Sequence, residues 1–153
     1  MKIIKRSGTE VVFACGGGIY ASAAEAAAKV EGAKVIGVDV DQAGIIDGKY
    51  GEGMTVTSAM KGLAPAVKTV LAAISADKWA DFGGKIETLG LVSENPDDNY
   101  VQLAGSTQFA DGFTQDDYKT LVASMFKGDI KVDNSTEKLP EVSVKVEMFD
   151  NIL

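Results

Sequence analysis

The sequence predicts a Rossmann-like α/β fold, a mostly parallel sheet with flanking helices, in a single domain over residues 1–153. Three observations carry this. Residues 11–15 (VVFAC) and 34–40 (KVIGVDV) are short apolar runs of the kind found in strands covered on both faces. Helical patterns follow the first run and the later strand-like stretch 54–57 (MTVT). The resulting order of strand, helix, strand, strand and helix is that of a sheet built by parallel crossovers.

Each element has a local reason. Residues 1–10 (MKIIKRSGTE) are too short to be more than a stub before the first strand. Ser22-Ala-Ala-Glu25 has capping-box spacing, predicting a helix that runs to about Glu31 and stops at Gly32. Pro65 lacks an amide hydrogen and belongs in a first helical turn, so a helix over about 62–76 is expected to start near Lys61. Residues 86–92 (IETLGLV) and 99–104 read as further strands on either side of the turn ENPDD. Thr114-Gln-Asp-Asp117 is a second capping box, and the helix it opens carries Tyr118, Leu121, Val122, Met125 and Phe126 on one face before Gly128. The polar stretch 133–140 reads as a surface linker, and 142–149 (VSVKVEMF) alternates like a half-exposed edge strand.

Composition narrows the chemistry. The chain is 46% hydrophobic and 24% charged, as in ordinary soluble domains, and is long enough to bury a core. A net charge of -7 argues against nucleic-acid or anionic-membrane partners. With no histidine, a Ser-His-Asp triad and histidine-ligated zinc are excluded. The single cysteine, Cys15, ends an apolar run and is expected to be a small buried filler. No run reaches transmembrane length, and no signal peptide is visible. No cofactor fingerprint and no nucleophile with an adjacent base are present, so the chain is read as a non-enzyme that needs no cofactor.

In a parallel sheet the carboxyl ends of the strands open on one edge, where ligands bind. Gly16-Gly17-Gly18 follows the first strand, Asp39 ends the second, and Ser58 and Lys61 follow the third. The glycine loop, taken alone, is better read as a compact turn with left-handed positions than as a phosphate cradle, because it matches neither nucleotide-binding spacing. A carboxylate at Asp39 suits a pair of vicinal hydroxyls, as on a sugar, and equally suits a cap for the following loop. Asp41 completes a D-x-D pair, but no further acidic residues cluster nearby, so no metal is expected. Lys61 reads either as a solvated lysine or as a donor into the cleft. Their common edge points to a small polar ligand.

These residues also resemble a known family. VVFACGGG, VIGVDVDQ, TVTSAMKG and FGGKIETLGL, in that order between about Val11 and Leu91, are similar to the carboxyl-terminal lobe of the basic membrane lipoproteins. That family, with its purine-nucleoside receptor relatives, comprises substrate-binding proteins of ABC importers. The resemblance implies one lobe of a type I periplasmic binding protein, with a purine nucleoside as ligand and an ABC permease as partner of the full-length relative. It implies that Asp39 holds ribose hydroxyls, Lys61 adds a polar contact, and Gly16, Gly17 and Gly18 line the cleft. Asp41 is the alternative main contact, the strand-end position favouring Asp39. The family also carries a lipoprotein signal, an amino-terminal lobe and a first strand-helix unit ahead of this region. The expectation is therefore a partial lobe that binds nucleoside weakly or not at all and tends to self-associate. The relative is extracytoplasmic and lipid-anchored, whereas this chain as given would be cytoplasmic.

Overall fold

Four strands and four α-helices make up the computed structural model, which describes residues 8–133 and 135–148. The strands are β1 (Val11–Phe13), β2 (Lys34–Asp39), β3 (Thr55–Lys61) and β4 (Val101–Leu103). The helices are α1 (Tyr20–Ala27), α2 (Ala43–Tyr50), α3 (Leu63–Ser75) and α4 (Gln115–Lys127). The sheet order is β1-β2-β3-β4; the first two pairings are parallel and β3-β4 is antiparallel. This is the mostly parallel α/β arrangement expected from the apolar runs.

The main buried cluster lies on one face of the sheet. Val12 and Ala14 from β1 and its exit, and Val35 from β2, pack against Ala23, Ala24 and Ala27 of α1 and Ile46 of α2. Three alanines on one face of α1 let the helix come close to the strands. The other face is open at β1, where Val11 and Phe13 are 43% and 49% exposed, so this strand is not covered on both sides as its apolar run suggests. Cys15 lies beyond β1 and is exposed, contrary to the expectation of a buried filler.

Several boundaries differ from the sequence expectation. Helix α1 begins at Tyr20, out of the preceding 3₁₀ turn Gly17–Ile19, so Ser22 is already helical and caps nothing. It ends at Ala27, well short of Glu31. Helix α2 was not expected, because AGIIDGKY buries only Ile46 and its two glycines dilute the apolar period. Strand β3 runs on to Lys61, so Ser58 lies within the strand and is fully buried. Helix α3 is capped by Gly62 and Ala76, with Pro65 in its first turn as anticipated. Thr114 and Asp117 form the expected reciprocal capping box, and Gly128 closes α4 at φ 84°.

Residues 86–92 do not form a strand, because β4 holds the far edge of β3. Asn99, fully buried, organises this segment instead. Its Oδ1 accepts from the Val92 and Ser93 amides at 2.7 and 2.9 Å, and its Nδ2 donates to the Ser93 and Asn95 carbonyls. The described part of 142–149 forms no strand either, and Phe149 lies outside the described residues, as do residues 1–7 of the stub. Among the described residues, no helix is long and apolar enough to cross a membrane.

Gly62 shows how tightly β4 is seated. A Cβ there would stand 2.4 Å from the Asn99 carbonyl oxygen and 2.7 Å from Tyr100 Cα, while the Gly62 amide donates to the Tyr100 carbonyl at 2.8 Å. Backbone cannot yield as a flexible side chain can. Gly62→Ala is therefore expected to destabilise the fold by about 1–3 kcal/mol, in the range of overpacked sites. Urea denaturation checks this, and an unchanged midpoint would show that β4 is not held against Gly62.

Candidate functional site

At the carboxyl ends of β1, β2 and β3 the chain makes three turns that interlock. Gln42, only 7% exposed, sits at their centre. Its Oε1 accepts from the Val38 amide at 3.0 Å, its Nε2 donates to the Gly17 carbonyl at 3.3 Å, and its own amide donates to Ser58 Oγ at 3.1 Å. One side chain and its backbone thus tie the glycine loop, the end of β2 and the middle of β3. Gly37 leaves room for this: a Cβ there would lie 2.6 Å from Ser58 Oγ and 2.8 Å from Gln42 Oε1.

Directly after Val38 the backbone turns sharply. The Val40 amide donates to the Val38 carbonyl at 2.9 Å, closing a three-residue γ-turn with Asp39 at its centre and φ 70°. Positive φ is uncommon outside glycine, and such conformations cost about 1–3 kcal/mol unless neighbouring contacts impose them. Here the Gln42 bond to Val38 fixes the residue before the turn. The turn throws the Asp39 carboxylate towards the other two strand ends.

There it meets Lys61, the last residue of β3, with Nζ 2.7 Å from Asp39 Oδ1. The Asp39 Oδ2 lies 3.9 Å from where a Cβ on Gly17 would stand, so the glycine loop borders the carboxylate without a side chain between them. The Lys61 ammonium is held above the usual lysine range, first by its hydrogen bond to Asp39 and then by the Asp39 charge, with a smaller contribution from Cys15. The Asp39 side chain is 33% exposed and that of Lys61 68% exposed, so the pair stands at an open surface. Among the described residues no three His, Cys, Asp or Glu side chains group to hold a metal.

The structure therefore brings together Asp39, Lys61 and Gly17 of the residues singled out in the sequence. Gly16 and Gly18 flank Gly17 in the same loop, but none of the three takes the left-handed φ expected of a tight glycine turn. The Gly16 amide is turned inward to the Ala14 carbonyl, and the Ile19 amide to that of Gly16. Asp41 points elsewhere: its Oδ1 accepts from the Ala43 amide at 3.1 Å, capping the start of α2, and from Ser106 Oγ at 2.7 Å. Ser58 serves Gln42 from beneath rather than facing the edge. Sequence reasoning missed Gln42. Its signal was the glycine at the fourth position of β2, paired with a small hydroxyl at the facing position, Gly37 opposite Ser58.

Two outcomes follow. Asp39→Gly removes the carboxylate and relieves the left-handed backbone, so it is expected to leave thermal stability equal or raised by up to about 1 kcal/mol. Asp39→Ala keeps the strain and is expected to fall below it; the reverse order of melting temperatures would contradict the strained-turn assignment. For Lys61, whose folded pKa is raised, the favourable pairing is complete below the unfolded lysine pKa and is lost as pH rises through the folded value. An NMR titration is expected to give Lys61 a higher midpoint in the parent chain than in Asp39→Asn. Equal Lys61 midpoints in the two chains would overturn the pairing.

No family model matches this chain, and no characterised protein matches it at a significant level.

Proposed function

We propose that this chain is a ligand-binding lobe of the kind found in ABC-importer substrate-binding proteins, with a purine nucleoside as the ligand of the two-lobed relative. The observation that supports this best is the strained Asp39. A carboxylate carried on a left-handed turn, at the carboxyl edge of a parallel sheet and beside bare glycine backbone, is an arrangement that folding alone does not favour. A carboxylate with one oxygen on Lys61 and the other towards Gly17 suits vicinal hydroxyls, each donating to it. Lys61 supplies a cation for a ligand oxygen. The motifs around these residues resemble those of the family named above.

In this chain the pair faces water on an open surface, whereas small-molecule sites usually bury most of their ligand. Each hydrogen bond then competes with solvent and contributes only about 0.5–1.5 kcal/mol. The lobe by itself is expected to bind weakly, acting as one wall of a cleft rather than as a catalyst. A second reading, that of a self-associating module, is favoured by the apolar stripe Leu63, Val67, Leu71 and Ile74 along α3, each more than half exposed.

Calorimetry with adenosine and inosine tests the first reading. The expected result is a dissociation constant weaker than micromolar, with Asp39→Ala abolishing what binding there is. Micromolar or tighter binding would contradict the open-wall account, and binding unchanged in Asp39→Ala would refute the site.

A further inference from the structure

At the outer edge of β4 a helix side chain stands where a further strand would pair. The Ala104 amide donates to the Ser58 carbonyl of β3, so by alternation the Leu103 amide points away from the sheet. There it donates to Tyr118 Oη at 3.1 Å, reaching across from one turn into α4. Beside this bridge lies a recess of about 230 Å³, enclosed by β4, α4 and the 3₁₀ turn Pro96–Asp98.

The fold holds the walls of this recess in place. Gln108 is anchored to β3, its amide on the Val56 carbonyl at 2.8 Å and its Nε2 on the Thr55 carbonyl at 2.7 Å. This sets Phe109 beside Tyr118, with ring centroids 6.3 Å apart and planes tilted by 34°. Pro96 and Leu103 add apolar lining. Asp97, also in the lining, has its backbone fixed on both sides: its amide donates to Asn95 Oδ1 at 3.3 Å, and its carbonyl accepts from Gln102 Nε2 at 2.8 Å. Its carboxylate is not used by the fold, since among the described residues nothing pairs with it or donates to it. The neighbouring acids are engaged: Asp98 accepts from Asn95 Nδ2 and Ser93 Oγ, and Glu94 pairs with Lys127. Lys119, which lines the recess too, is paired with Asp116 at 3.2 Å. An aromatic wall thus stands with an uncompensated carboxylate.

We propose that this recess binds a small aromatic amine, with its ring against Phe109 and Tyr118 and its ammonium at Asp97. Each part of the ligand answers a feature of the site. Aromatic faces are negative, so they attract both the edge of another ring and a cation. A carboxylate without a counter-charge favours an ammonium and disfavours an anion, and the chain's net charge of -7 adds to that preference. The volume falls below the usual range of ligand pockets, about 300–1,000 Å³, which limits the ligand to one ring with a short chain. A neutral nucleoside offers this site no cation. The inference does not rest on the nucleoside reading, because the recess shares no residue with the Asp39-Lys61 pair or the glycine loop.

Amide NMR titrations with four probes test it: 2-phenylethylamine, 2-phenylethanol, 3-phenylpropionate and butylamine. The aromatic amine is expected to give saturable shifts centred on Leu103, Phe109 and Tyr118. It is expected to bind about 10-fold more tightly than the alcohol, as a hydrogen bond to a charged group allows, with the anion weaker still. Butylamine, which has the charge without the ring, is expected to give no saturable shifts there. Asp97→Asn changes an exposed side chain and leaves the backbone bonds of the turn intact, so the variant is expected to fold and to lose the preference for amine over alcohol. No saturable shifts with 2-phenylethylamine, an anion or butylamine that binds as tightly, or an undiminished preference in Asp97→Asn would each overturn the proposal.

Discussion

The arrangement of the carboxyl edge depends on one buried polar side chain. Gln42 satisfies the Val38 amide and the Gly17 carbonyl, and its amide rests on Ser58 Oγ, so β1's exit loop, β2 and β3 share a single anchor. Removing it would leave buried backbone groups without partners, which costs more than a hydrogen bond contributes when made. From this anchor the rest follows in order. Gly37 must lack a side chain, Val38 is pinned, and the chain can escape the strand only through the γ-turn that carries Asp39. Lys61 then finds its carboxylate because β3 runs three residues beyond Ser58.

At β1 the two faces of the sheet differ sharply. Alanines on α1 and Ile46 on α2 close one face over Val12 and Val35, leaving a small, tightly drawn core. On the other side Val11 and Phe13 stay accessible, and α3 carries an apolar stripe that nothing covers among the described residues. Such surfaces would be a liability in a monomer. As exposed apolar area they are candidate contact surfaces.

Much of this was legible in the residues. The apolar runs at 11–15 and 34–40 reported β1 and β2, Pro65 located the first turn of α3, and Thr114 with Asp117 marked the start of α4 within one residue. Asp39 was legible as a strand-end residue, whereas Lys61 was placed at a helix start and proves to be the last residue of β3. Local signals failed where distant contacts decide. IETLGLV has the composition of a strand, but its place beside β3 is taken, and a buried Asn99 claims the Val92 amide at its end. Ser22 and Glu25 have the spacing of a capping box, yet the 3₁₀ turn at Gly17–Ile19 starts the helix earlier. Gln42 carries no motif at all; its role exists only once Gly17, Val38 and Ser58 converge.

A loop, a strained carboxylate and a lysine brought to one edge by a shared anchor form a surface suited to a sugar's hydroxyls, open on its outer side. Amide NMR of the chain under titration with adenosine tests this most directly, because it detects weak binding and places it. Saturable shifts in fast exchange are expected, confined to Gly16, Gly17, Gly18, Asp39, Val40 and Lys61. Shifts centred instead on the depression between β4 and α4, around Tyr118 and Phe109, or no shifts up to the solubility limit, would contradict it.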